Sequence, residues 1–283
     1  MNSLIIQAIK KADQIRTQLG LNMSEPMDIF NSCYKLGINV RFLNINMEGM
    51  YISHEDPTKS NILISNLRPL PRRIYTCAHE LGHHVFGHGS KIDNLTDDER
   101  KEASYDDEEF LVDVFAGMLL MPIFGVQLEF AKRGWKPNNA NPLQFYIIAC
   151  IFGTGYSALI THCKMNRLID NIKAKELLKT QPGKILESIL GKAVVKSHFK
   201  FIDEYSPVSV IDLEVTNLLI LPKGFRVEGT HIEKHLETDY GAVYIAKHPG
   251  IVRAISFDYS RSYFIRIQNF EYVGLAENRH LET

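Results

Sequence analysis

The run Thr76-Cys77-Ala78-His79-Glu80-Leu81-Gly82-His83-His84-Val85 constrains the fold more than any other stretch, because its H-E-x-x-H pattern has a use only on a helix. Side chains four apart share a helical face, so His79 and His83 can aim both imidazoles at one metal ion with Glu80 beside them. The residue frequencies of the chain give roughly 0.03 accidental matches, so the pattern is informative without being decisive. Its surroundings supply the helix it needs. Pro71 stands at the start, Ile74, Tyr75, Ala78, Leu81, Val85 and Phe86 make a helical stripe, and Gly87 and Gly89 follow.

A catalytic zinc site needs a third protein ligand and one position left open for water. Glu109-Phe110-Leu111-Val112-Asp113 offers two carboxylates on one helical face. Glu109 can complete a His2Glu set, and Asp113, one turn on, can accept the outer N–H of a ligand histidine and fix its tautomer. Glu108 is the competitor, but it falls on the stripe of Val112, Phe115 and Leu119 and is expected to face the core. Glu102 is the more distant alternative. Without the histidine motif, the acids Asp106 to Glu109 would read simply as a first helical turn complementing the macrodipole. A third histidine in the pattern H-E-x-x-H-x-x-G-x-x-H is ruled out, since Phe86 and Gly89 occupy its last two positions. His84 and His88 form their own i, i+4 pair about 100° around the helix and read as a polar face. Cys77 reads as a small buried apolar residue.

This ligand set favours zinc, with Mn2+ or Fe2+ able to take the same place. The chemistry it implies is peptide hydrolysis, with Glu80 as the general base that later returns its proton to the leaving amine. An oxyanion donor is also required, and Tyr156, His162 and Arg167 are candidates by sequence order alone. The competing reading is a metal-containing regulatory or antitoxin-like binding protein, a pseudo-protease, whose metal is structural. A structural site would be closed by four protein ligands, and three good ones are in view.

At 283 residues, two or three packed units are expected. A composition 45% hydrophobic and 23% charged excludes a mainly disordered chain. The formal charge of -1 supplies no positive field, which argues against direct nucleic-acid binding. Four cysteines, Cys33, Cys77, Cys150 and Cys163, lie far apart with no C-x-x-C pair, which suits a reducing cytoplasm. The N-terminus lacks the order of a signal peptide, and no run approaches the ~18 apolar residues of a membrane span.

Periodicity predicts a first helix over Leu4 to Leu19 and a second from Ser24-Glu25-Pro26 to Gly37. Ile38 to Leu43, Met50 to Ser53 and Asn61 to Ser65 read as a small three-stranded sheet. Lys91 to Asp107 reads as a surface loop, followed by a helix from about Tyr105 to Met121. Leu143 to Leu168 reads as two helices broken near Gly153-Thr154-Gly155. Gln181-Pro182-Gly183 marks a change of character. After a short helix from Lys184 to Leu190, β-type runs dominate: Val208 to Leu221, Ala242 to Ala246, Ile251 to Phe257 and Tyr263 to Ile267.

Arg73 to His83, with Glu109, Asp113 and Phe115-Ala116-Gly117-Met118-Leu119-Leu120-Met121-Pro122, resembles the ImmA/IrrE family of metallopeptidases over about residues 1–170. The resemblance implies a zincin-like, minimal gluzincin core in an α+β chain, with His79, His83 and Glu109 as zinc ligands and Glu80 as general base. It further implies a helical segment similar to a helix-turn-helix, carried here by Phe152 to Leu159 with Arg167-Leu168. With Lys164 and Arg167 its only basic residues, that segment is expected to pack or dock substrate and not to read DNA. The implied substrate is a helix-turn-helix transcriptional repressor, cleaved in stress response or transcription regulation. The expected organisation is a protease core over 1–125, a helical segment over 126–181 and a β-rich domain over 182–283, sensory or regulatory in use.

Overall fold

The computed structural model describes residues 3–56, 59–93, 106–192 and 198–281. The chain is mixed α+β with a β-rich C-terminal part. It divides into two compact units, Met1–Val126 with Glu271–Asn278 and Gln127–Phe270 with Arg279–Thr283.

The first unit opens on α1 (Ser3–Gln18), which buries Ala8, Ala12 and Ile15 along its stripe. Arg16 is buried with them and donates to the carbonyls of Leu119 and Asn22. Burial lowers its pKa to about 10, still high enough to keep the charge at neutral pH. α2 (Ile29–Lys35) starts later than the proline signal predicts, because Asp28 takes the cap by accepting the Asn31 N–H.

β1 (Asn39–Leu43), β2 (Gly49–Ile52) and β3 (Asn61–Ser65) lie where alternation puts them, β3 parallel to β1 and antiparallel to β2. The sheet, however, has five strands and not three. β4 (Lys91–Asp93) pairs with β2 on one side, and the two-residue strand Gly274–Leu275 pairs with β1 on the other. Neither addition is long enough to carry a period, and the first opens the polar stretch that reads as a loop. The rest of that stretch, residues 94–105, lies outside the described residues, and Glu102 and Tyr105 with it.

α3 (Leu70–Phe86) carries the histidine motif and ends at Gly87, and α4 (Asp107–Leu120) carries the carboxylates. The two helices pack so closely that a Cβ placed on Gly82 would lie 2.8 Å from Val112 Cβ. Length and composition alone would let Asp107–Lys132 cross a membrane, but most of its apolar window is buried within the protein, as in a core helix.

In the second unit, α5 (Ile123–Lys132), which contains the point of division, is followed by α6 (Pro142–Phe152) and α7 (Tyr156–Met165). The break between α6 and α7 falls at the glycines the sequence marks, with a bend of 97°. α8 (Asn171–Leu177) and α9 (Pro182–Leu190) lead into the strands. These are β5 (Phe199–Phe201), β6 (Val210–Glu214), β7 (Leu218–Leu221), β8 (Phe225–Glu228), β9 (Ile232–Thr238), β10 (Gly241–Ala246), β11 (Gly250–Ser256) and β12 (Ser262–Gln268), with Gly274–Leu275 as β13. β5 to β12 form two four-stranded sheets, β5-β7-β10-β9 and β6-β12-β11-β8, whose inward side chains share one core that includes Ile211, Leu219, Val252 and Ile265, while β13 is the strand that pairs with β1 in the first unit. The single run expected from Val208 to Leu221 is in fact two strands in different sheets. Thr216 adopts a left-handed φ of 75° at the corner, and Asn217 caps the turn by donating its N–H to the Glu214 carbonyl.

Candidate metal centre

Helical spacing alone puts His79 and His83 on one face of α3, and burial then fixes them. His79, Glu80 and His83 are all buried, while Glu109 reaches in from the first turn of α4 with 31% of its side chain exposed. Glu108 is exposed, so its expected place on the core stripe is corrected: the stripe begins one turn later, at Leu111 and Val112. The first turn of α4 lies beyond the end of the buried surface, where Asp106 caps the helix by accepting the Glu108 N–H.

Three ligand side chains converge. His79 Nε2 lies 3.2 Å from Glu109 Oε2, His83 Nε2 lies 3.5 Å from Glu109 Oε1, and the two Nε2 atoms are 3.3 Å apart. Bonds of about 2.0–2.1 Å to one tetrahedral ion put neighbouring ligand atoms about 3.3 Å apart, so the donor set fits a zinc-sized ion without rearrangement. Among the described residues, His79, His83 and Glu109 are the group of this kind that could hold a metal. The outer nitrogens are engaged on the far side, with His79 Nδ1 2.9 Å from Asp113 Oδ1 and His83 Nδ1 3.0 Å from His88 Nδ1. The position of Asp113 is secured in turn by Tyr75, whose hydroxyl donates to the Asp113 carbonyl at 3.1 Å.

Burial works against a charge on His79, but the carboxylates of Asp113 and Glu109 outweigh it and raise its pKa well above the ordinary histidine value. The same two carboxylates put negative charge beside the imidazole of His79, 3.2 and 2.9 Å from its two nitrogens, as a cation site requires. Glu80 lies under β2. A Cβ at Gly49 would come within 3.1 Å of Glu80 Oε1 and 2.5 Å of Thr76 Cγ2, so only glycine lets the strand pass this close.

Tyr156, His162 and Arg167 belong to the second unit, and the ligand cluster contains none of them. The Tyr156 hydroxyl donates to the Leu177 carbonyl at 2.9 Å, and His162 is buried. Cys77 is buried 3.7 Å from Cys33, and burial raises its pKa well above that of a free thiol. His88 is the residue the sequence reading missed as a partner of the site. It is not on the helix with His84, because Gly87 turns the chain at φ 73° and brings His88 back against His83. Gly87 itself was the signal that could have revealed this.

Two histidines and a glutamate presented by adjacent helices, with a buried glutamate following the first histidine, make a group that could hold a metal ion. Residues 33–140 match the family model described as Peptidase M78, IrrE N-terminal-like domain, which is consistent with the resemblance to the ImmA/IrrE family and supports a metallopeptidase-like domain in this segment. No curated protein matches the chain.

Proposed function

We propose that the protein is a metal-dependent endopeptidase that hydrolyses a protein substrate. The observation that carries this reading is the convergence of His79, His83 and Glu109 atoms at 3.2–3.5 Å, beside the buried Glu80. When bound, a divalent ion supplies Lewis-acid polarisation of the peptide carbonyl and acidifies water. Zinc suits two imidazoles and a carboxylate best, and Mn2+ or Fe2+ are the other candidates.

The chain's own residues do the rest. His79, His83 and Glu109 would hold the ion, with Asp113 holding the tautomer of His79. Glu80 takes the proton from the attacking water and returns it to the leaving amine, a role that suits a carboxylate shielded from bulk solvent. Three ligands in the described cluster leave a coordination position for water, which favours catalysis over a closed structural site. We infer a helix-turn-helix repressor as substrate from the family resemblance, and a cytoplasmic setting from four cysteines that are all free thiols.

The test is Glu80→Gln, co-expressed with helix-turn-helix regulators encoded nearby. The expected outcome is a cut product with the native chain and none with the variant, at unchanged metal content. Equal cleavage by both would end the hydrolase reading.

A further inference from the structure

We infer that His88 is a positioning residue for the metal centre: it accepts the Nδ1–H of His83 and so holds the His83 Nε2 lone pair towards the ion. The inference rests on the metal-dependent reading above and extends it to a residue outside the helix and outside the motif.

The argument begins with the tautomer. A neutral imidazole carries one hydrogen, so His83 can present Nε2 to a cation only if the hydrogen sits on Nδ1. That N–H needs an acceptor, and His88 Nδ1 is 3.0 Å away. His88 must then keep its own hydrogen on Nε2. His79 has the same need and meets it with Asp113 Oδ1 at 2.9 Å. The two ligand histidines are thus backed by different chemistry, one by a carboxylate and the other by a neutral ring. Such outer partners commonly set metal affinity by about 10- to 100-fold.

Three features hold the His88 ring in place. Gly87 adopts a left-handed φ of 73°, which ends α3, and the His88 N–H then donates to the His83 carbonyl at 3.0 Å. This six-to-one bond is the closing bond of a Schellman turn, and it ties His88 to the very residue whose side chain it meets. The ring stacks on Phe86 at 5.9 Å between centroids and 25° between planes, and Phe86 packs edge-on against Phe115 of α4 at 5.6 Å. The acceptor is therefore built into the end of the helix and braced by the helix that carries Glu109.

The test uses the full-length chain and two ions, Zn2+ measured by competition with a chelating indicator and Co2+ read by its visible absorption. His88→Phe keeps a ring over Phe86 but has no acceptor, whereas His88→Asn puts an amide oxygen near the Nδ1 position. His88→Phe should bind Zn2+ about 10- to 100-fold more weakly, at unchanged stoichiometry, and should shift the Co2+ band. His88→Asn should return both towards native, while the metal-free melting temperature stays level across the series. If the phenylalanine variant does not fold, His88→Ala supplies the variant lacking an acceptor for the same comparison with asparagine. Native affinity in the variants lacking an acceptor would overturn the inference, as would equal weakening by asparagine and phenylalanine. A Co2+ spectrum showing a lost nitrogen ligand would also overturn it, because His88 would then be a ligand. Failure of the native chain to bind either ion would instead defeat the metal reading itself, and the inference with it.

Discussion

At the scale of single residues, the site depends on which nitrogen of each histidine is free. Asp113 governs this for His79, at 2.9 Å from its Nδ1. Asp113→Ala should therefore weaken Zn2+ binding about 10- to 100-fold, whereas Asp113→Asn, which keeps an oxygen acceptor, should cost far less. Indicator competition on the metal-free proteins measures both, and equal losses would show that charge and not tautomer control matters. This part of the centre was legible in the sequence because helical spacing is rigid: His79, His83, Glu109 and Asp113 are each fixed by an i, i+4 relation within one helix. His88 was not legible by the same rule. Counting four residues from His84 assumes that the helix continues, and a glycine at φ 73° ends it first.

At the scale of elements, the centre is a contact between α3 and α4, and Gly82 sets their distance. With Val112 Cβ 2.8 Å and Phe115 Cδ1 3.2 Å from where a Cβ would stand, Gly82→Ala must push α4 outward or distort both side chains. The expected cost is about 1–3 kcal/mol of stability, read by urea unfolding. A fall in Zn2+ affinity should accompany it, because His83 and Glu109 sit on opposite sides of this contact. A stable variant with native affinity would mean that the helices have slack the packing does not suggest. Element identity was read well where one face is buried and badly where it is not. β9, Ile232–Thr238, is charged and largely exposed along its length and gives no alternation to detect, while β13 is two residues long and gives no pattern at all. The run from Val208 to Leu221 misled for the opposite reason. Both of its strands bury apolar residues, and the corner between them is made by backbone conformation at Thr216 and not by a turn-forming residue type.

At the scale of the whole molecule, the last stretch of chain contributes to each unit separately. Glu271–Asn278 completes the first: β13 pairs with β1, Asn66 donates to the Glu271 carbonyl at 2.6 Å, and Tyr272 is buried with its ring 6.3 Å from Phe42. Arg279 serves the second, where it and Arg266 face Asp212 on β6 at 3.3 and 2.6 Å. Burial alone would raise the Asp212 pKa, but the two guanidinium groups outweigh it and hold the carboxyl well below the usual carboxylate range. A carboxyl with a depressed folded pKa stabilises above its unfolded value of about 3.9 and loses that contribution as pH falls through the folded one. Two variants then separate the units. Tyr272→Ala should cost the first unit about 3 kcal/mol and weaken Zn2+ binding, with an effect indifferent to acid. Arg279→Met should leave Zn2+ affinity alone and destabilise the second unit by about 1 kcal/mol at neutral pH, fading as Asp212 becomes protonated in acid. Calorimetry across pH, alongside indicator competition, reads both. A single transition shifted equally by either variant would mean that the two units unfold as one, and the sequence-distant β13 would then be part of a common core and not a local completion of the metal-bearing sheet.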